Sequence, residues 1–98
     1  MHIFWKLKII GSYSTNDLTD NNIEVLSIYG SFDNVLNKDK YNENKDNLPE
    51  GYKEVIIEGG CHAYFGMYGN QKGDGTPTIT AFEQISLTSD YIFDFIND

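Results

Sequence analysis

The sequence contains no arginine, and its seven lysines face fifteen acidic residues, which gives a formal net charge of −8. Proteins that bind nucleic acid neutralise the phosphate backbone with clustered lysine and arginine, and no such cluster occurs here. An anionic membrane surface is disfavoured for the same reason, because it also attracts basic segments. We therefore expect neither a nucleic-acid partner nor binding to an anionic bilayer.

Cysteine is almost absent. Cys61 is the only one in 98 residues, so no disulfide can form within the chain. No apolar run is long enough to cross a bilayer. Residues 1–10 carry Lys6 and Lys8 within their apolar part, which makes them a poor secretory signal. We expect no membrane segment in this chain, and its localisation stays unassigned, with the cytoplasm as the default.

Three apolar runs separated by polar segments are the main structural signal in the sequence. They predict strands at Leu7–Ile10, Ile23–Tyr29 and Tyr52–Ile57. The second run is mostly apolar, which is typical of a parallel strand covered on both faces. Because parallel strands need crossover connections, we expect one α/β domain of about three parallel strands with flanking helices.

Two segments are predicted to be helical. Residues 37–47 are highly polar, with Tyr41 as their only aromatic, and indicate a solvated helix that Asn37 can cap. The sequence Thr80-Ala81-Phe82-Glu83 is a capping box that opens the second helix. Residues three or four positions apart in that helix predict one core-facing stripe, formed by Phe82, Ile85, Ser89, Ile92 and Ile96 and broadened by Leu87, Phe93 and Phe95.

A residue that can take part in catalysis follows each of the last two predicted strands. Asp33 comes shortly after the second strand, where an Asx-turn or a helix cap is the usual role of an aspartate. His62 follows the third strand and Gly59-Gly60, where a structural loop histidine is the commoner case. Both also fit a ligand site, because ligands of open α/β sheets bind at the carboxyl ends of the strands.

The glycine-rich stretch Gly59–Gly75 matches no phosphate-binding or metal-binding motif. It lacks the G-K-[ST] of a phosphate-binding loop and the third glycine of a dinucleotide fingerprint. It also has neither a calcium loop nor a zinc cluster, so we expect no metal and no cofactor. Earlier in the chain, Ser12 and Ser14 lack the G-x-S-x-G spacing of a nucleophile elbow and are predicted to be turn serines.

Three segments together resemble the alpha/beta hydrolase family, in its small serine-esterase-like branch. They are Tyr29–Val35 (YGSFDNV), Glu58–Ala63 (EGGCHA) and Phe65–Gly75 (FGMYGNQKGDG). The last segment is the most specific, and the likeness extends from about Leu7 to Ile96. It implies that residues 1–98 form a partial domain, the C-terminal third of such a hydrolase, without the nucleophile region.

That family orders its catalytic residues as serine, acid and histidine. The resemblance therefore implies that Asp33 is the acid and His62 the base of a Ser-Asp-His triad. A small ester-like molecule would be the substrate of the full-length protein. One departure is Cys61, which stands where relatives commonly carry asparagine. The nucleophile elbow and the oxyanion loop, which precede these segments in the family, do not occur in the sequence, so whether this chain alone is an enzyme stays open.

Two other functions fit the same residues. One is a non-catalytic acidic α/β module whose aromatic loop, Tyr64–Tyr68, binds a small molecule or a protein partner. The other is a remnant without activity. A parallel sheet that lacks a neighbouring strand exposes an edge, so we also expect self-association through that edge. Nothing in the sequence identifies the acyl or alcohol part of a substrate.

Overall fold

A computed structural model describes residues 5–19, 22–66 and 72–97 of the chain. Three strands form one sheet: β1 (Trp5–Ile10), β2 (Ile23–Gly30) and β3 (Lys53–Ile57). Both neighbouring pairs are parallel, in the order β1-β2-β3. The predicted α/β architecture is confirmed, and the strand bounds differ from the predicted ones by at most about two residues, which is usual for sequence-based boundaries.

Two helices lie after β2 and β3. Helix α1 (Lys38–Glu43) continues into a 3-10 turn at Asn44–Asn47, and helix α2 (Ala81–Ile96) closes the described chain. The Asn37 side chain accepts the Lys40 N–H at 3.0 Å, so it caps α1 as predicted. The predicted capping box of α2 is also confirmed: the side chain of each end residue, Thr80 and Glu83, accepts the backbone N–H of the other.

The central strand carries the core. Four consecutive residues, Val25–Ile28, are buried, as expected of a strand with neighbours on both sides and helices on both faces. On one face, Leu26 and Ile28 pack with Ile57 of β3 and Phe95 of α2. This apolar cluster holds α2 against the sheet, and Phe65 and Ile79 from the segment between β3 and α2 pack against it.

The predicted orientation of α2 is wrong in part. Phe82 is 79% exposed and Phe93 67% exposed, and Leu87, Ser89 and Ile96 also lie at the surface. Of the predicted stripe, Ile85 and Ile92 are half-buried and Phe95 is buried. The buried face instead contains Gln84 and Thr88, because the Gln84 side chain bonds the loop after β3 and turns this side of the helix inward.

The two outer strands, β1 and β3, each have one neighbour within the described part of the chain. Self-association through such an edge stays a prediction. No helix within the described ranges is long and apolar enough to cross a membrane.

Candidate active site

Asp33 lies in the loop after β2, and its side chain is fully buried, with 0% exposed. Its two carboxylate oxygens have different partners. Oδ1 accepts the backbone N–H groups of Val35 and Leu36 at 3.1 and 2.8 Å, which is the local turn role considered above. Oδ2 lies 2.8 Å from Nδ1 of His62. One oxygen thus fixes the carboxylate on the backbone, and the other holds the imidazole.

His62 lies in the loop after β3, and 26% of its side chain is exposed. With Asp33 ionised, the ring must donate through Nδ1, which leaves a free lone pair on Nε2 of the neutral imidazole. Among the described residues, none bonds Nε2. The ring is therefore held at one nitrogen and available at the other, as a general base requires.

The two loops meet because β2 and β3 are parallel neighbours that end at the same rung, Gly30 opposite Ile57. Beyond that rung, Phe32 donates its N–H to the Gly60 carbonyl at 2.8 Å. A Cβ atom on Gly30 would lie only 2.4 Å from the Gly60 carbonyl carbon. The close approach of the loops that bear Asp33 and His62 thus requires glycine at position 30.

Gly11 brings the end of β1 to the same place. It is buried, has a φ of 58°, and donates its N–H to the Ile28 carbonyl at 2.7 Å. A Cβ atom there would lie 3.1 Å from Nδ1 and Cε1 of His62 and 3.3 Å from Oδ2 of Asp33. Sequence reasoning missed this residue, since a glycine after a predicted strand is too common a signal to indicate a site.

Two further side chains hold the loop that carries His62. Gln84, with no exposed surface, donates from Nε2 to the Cys61 carbonyl at 2.8 Å and accepts the Cys61 N–H on Oε1 at 3.0 Å. Asp74 accepts the N–H groups of His62 and Ala63 at 3.1 and 3.0 Å. Neither residue was identified from the sequence as part of the site, although Asp74 lies in the segment that carries the resemblance.

The hydrogen bonds of Asp74 lower the pKa of its carboxyl group. Partial burial acts to raise the pKa of its carboxyl group, but hydrogen bonds from the Ala63 and His62 N–H groups, the Cys61 thiol and the Gly75 N–H together lower that pKa below its ordinary value. Burial, assisted by the neighbouring Asp74 carboxylate, raises the pKa of the Cys61 thiol, although backbone hydrogen bonds oppose the shift. Cys61 is buried, so the thiol is inert and forms part of the loop packing.

A model of the alpha/beta hydrolase family matches residues 6–86, a range that contains both site loops and Asp74. This chain belongs to the alpha/beta hydrolase family. No curated protein and no solved structure matches it significantly.

Members of the alpha/beta hydrolase family use a serine nucleophile, so the serines near the site were compared. Ser12 bonds the Tyr13 carbonyl and Ser14 the Asn16 carbonyl, so both are local turn serines as predicted. Ser31 accepts the Gly59 N–H at 2.8 Å and ties the two site loops together. None of the serines in the described ranges bonds His62.

The remaining sequence hypotheses concern metals and the aromatic loop. Within the described part of the chain, no group of three or more His, Cys, Asp or Glu side chains could hold a metal ion. Of the aromatic loop, Tyr64 and Phe65 lie in a 3-10 turn, and Phe65 packs against the apolar core. Tyr68 and the rest of residues 67–71 lie outside the described residues.

Proposed function

We propose that Asp33 and His62 are the acid and the base of a Ser-Asp-His triad that hydrolyses carboxylic esters. One observation carries the proposal: the buried Asp33 carboxylate lies 2.8 Å from Nδ1 of His62, while no described residue bonds Nε2. Membership of the alpha/beta hydrolase family supports it, because the acid precedes the histidine here as in that family's triads.

The reaction would be acyl transfer. Nε2 of His62 takes the proton of a serine hydroxyl as the serine oxygen attacks the ester carbonyl, and Asp33 stabilises the imidazolium that forms. The imidazolium then gives its proton to the departing alcohol. A water molecule, deprotonated by the same nitrogen, hydrolyses the acyl-serine and restores the starting state.

In this proposal the serine and the oxyanion donors come from outside these 98 residues. The sequence contains no G-x-S-x-G, and the turn serines after β1 have local partners. The chain would thus act as the C-terminal third of a hydrolase domain, in which it supplies the acid and the base. A fused or separate segment would supply the nucleophile.

The test measures hydrolysis of p-nitrophenyl acetate by the chain alone and by the chain together with the segment encoded in frame before Met1, either fused or in trans. Alone, the chain should be no faster than its His62→Ala variant, because in this proposal His62 has no serine hydroxyl to activate. The missing oxyanion donors lower the rate further, by about 10²–10³ for even one of them. With the segment supplied, Asp33→Asn should reduce turnover by about 10⁴, and His62→Ala should reduce it at least as much. His2→Ala, at the only other histidine, is the matched control and should change nothing.

Two results would each contradict a different part of the proposal, the external nucleophile or the roles of Asp33 and His62. Strong His62-dependent turnover by the isolated chain, blocked by a serine-directed phosphonate, would assign the nucleophile to one of its own serines. Turnover in the combined protein that is unaffected by Asp33→Asn and His62→Ala would remove both residues from the mechanism.

A further inference from the structure

The backbone that carries His62 is held by a carboxylate twelve residues further along the chain. Oδ1 of Asp74 accepts the His62 N–H at 3.1 Å and its own neighbour's N–H, that of Gly75, at 3.0 Å. Oδ2 accepts the Ala63 N–H at 3.0 Å. The two oxygens thus accept the N–H groups of two consecutive residues, His62 and Ala63. These bonds fix the two peptide groups on either side of the His62 α-carbon.

No local side chain does this work. His62 is the N-cap of the 3-10 turn Ala63–Phe65, so the N–H groups of His62 and Ala63 have no partner inside the turn. Its own side chain makes no capping bond, because the ring is turned to Asp33 instead. Capping by a remote residue leaves the imidazole free for the site while the amides stay paired.

We infer that Asp74 is a positioning residue for His62, which fixes the backbone from which the ring reaches Asp33. The inference rests on the proposed function, since the position of the ring matters only if His62 is the base. Two side-chain torsions separate the ring from its backbone, so a rotation of the His62 backbone moves Nδ1 relative to the fixed carboxylate. A displacement of about 1 Å at a catalytic group can cost on the order of 10²-fold in rate.

Nuclear magnetic resonance of the whole ¹⁵N-labelled chain tests this without any need for activity. The readout is the Nδ1–H proton of His62, which a bond to Asp33 moves downfield and protects from exchange with water. Its assignment comes from its absence in His62→Gln and its shift in Asp33→Asn. Amide hydrogen exchange at His62 and Ala63 gives the state of the backbone in the same samples.

In Asp74→Ala we expect the Nδ1–H resonance to broaden or vanish and the two amides to exchange about tenfold to a hundredfold faster. Asp74→Asn keeps one carbonyl acceptor and should give an intermediate result, and it remains informative if Asp74→Ala does not fold. The matched control is Asp17→Ala, because the exposed Asp17 carboxylate likewise accepts two hydrogen bonds, both from Thr19 and neither from the loop that carries His62. This control should leave both signals unchanged.

An unchanged Nδ1–H resonance in both Asp74 variants would overturn the inference, even if the amides exchange faster, because Asp74 would then support the loop without placing the ring. A different failure concerns the proposed function itself. If the wild-type chain shows no Asp33-dependent Nδ1–H resonance, the acid–base pair is absent, and both proposals fall together.

Discussion

Two polar networks, each with a buried centre, lie on this sheet, and they end in different ways. The network under helix α1 consists of Ser27, Tyr41, Lys45 and Glu54. The Tyr41 side chain is 3% exposed, and its hydroxyl lies 2.9 Å from the Ser27 hydroxyl and 2.5 Å from the Glu54 carboxylate. Since Tyr41 donates its one proton to Glu54, Ser27 donates to Tyr41. Lys45 pairs with Glu54 at 3.3 Å and closes the network.

The site network, Asp33, His62, Asp74 and Gln84, begins on backbone amides and ends at a ring nitrogen. The carboxylates of Asp33 and Asp74 and the side-chain amide of Gln84 all have hydrogen-bond partners, but none of the described residues bonds Nε2 of His62. Buried polar groups are normally satisfied, so a closed network needs no explanation beyond stability. An accessible nitrogen at the end of an otherwise satisfied network is what distinguishes a candidate site from a structural one.

The largest effect on stability is expected where the site network crosses the core. Gln84→Leu leaves the buried N–H and C=O of Cys61 without their partners, at about 1–3 kcal/mol for each group. Urea denaturation of the whole chain would measure this loss. Thr88→Val is the control on the same face. Among the described residues, the Thr88 hydroxyl bonds only the Gln84 carbonyl, within the helix, so its loss should cost about 1 kcal/mol or less. Equal losses in the two variants would show that the bonds from Gln84 to the loop contribute nothing.

The network under α1 should affect stability without affecting the site. Tyr41→Phe leaves the buried Ser27 hydroxyl and the Glu54 carboxylate short of a partner and should cost about 1–3 kcal/mol in the same denaturation experiment. Adding Ser27→Ala removes the orphaned hydroxyl, so the double variant should recover part of the loss. The Nδ1–H resonance of His62 should be unchanged throughout. A shift of that resonance would mean that the two networks are coupled.

A smaller effect separates the strain of a glycine from its contact with the site. Gly11→Ala and Gly51→Ala both place a side chain at a positive φ, 58° and 82°, at a cost of about 1–2 kcal/mol each. A Cβ on Gly51 would have no atom of the described residues within 4 Å, whereas a Cβ on Gly11 would meet the His62 ring. Only Gly11→Ala should therefore disturb the His62 Nδ1–H resonance. Disturbance by both variants would point to general loosening of the chain.

The sheet and the pairing of Asp33 with His62 could be predicted from the sequence, for different reasons. The strands follow from apolar runs, since burial of β2 on both faces leaves few polar positions in it. The pairing follows because two parallel neighbours bring their carboxyl ends to one edge. The roles given to these two residues came from the family resemblance.

The supporting residues could not be predicted in the same way. The side chains of Asp74 and Gln84 bond the backbone of a loop distant in sequence. The spacing of apolar residues in the sequence does not indicate such bonds. The prediction of which face of α2 is buried is wrong in part for a related reason. The apolar spacing favours a face with Phe82 and Phe93, but the buried bonds of Gln84 to Cys61 select another. A count of apolar residues gives no weight to a polar side chain that is fully satisfied inside.

A modest effect of pH should mark the acid side of the site network. The folded-state pKa of Asp74 lies below its ordinary value of 3.8, because hydrogen bonds from the loop outweigh its burial. Its contribution to stability is therefore complete above that value and is lost as pH falls through the lowered one. Denaturation between pH 6 and about pH 2 should show a shallower acid loss in Asp74→Asn than in the wild-type chain. Asp90→Asn, which removes one exposed charge on α2, is the control for the loss of a negative charge.

The network under α1 should respond at the opposite end of the pH range. Burial, with the hydrogen bond to Glu54, raises the pKa of Tyr41, and burial also raises that of Tyr29 nearby. An unfolded tyrosine ionises near pH ~10 while folded Tyr41 keeps its proton, so the unfolded state gains and stability falls as pH rises above about 10. Tyr41→Phe should reduce that loss of stability at alkaline pH in part, and Tyr29 should account for the remaining loss.

Tyr91→Phe, at an exposed tyrosine of α2, is the matched control. The net charge of −8 destabilises all three chains at high pH, so only the difference in slope is diagnostic. An unaltered slope in Tyr41→Phe would mean that this network opens before it titrates, and its contrast with the open site network would not hold.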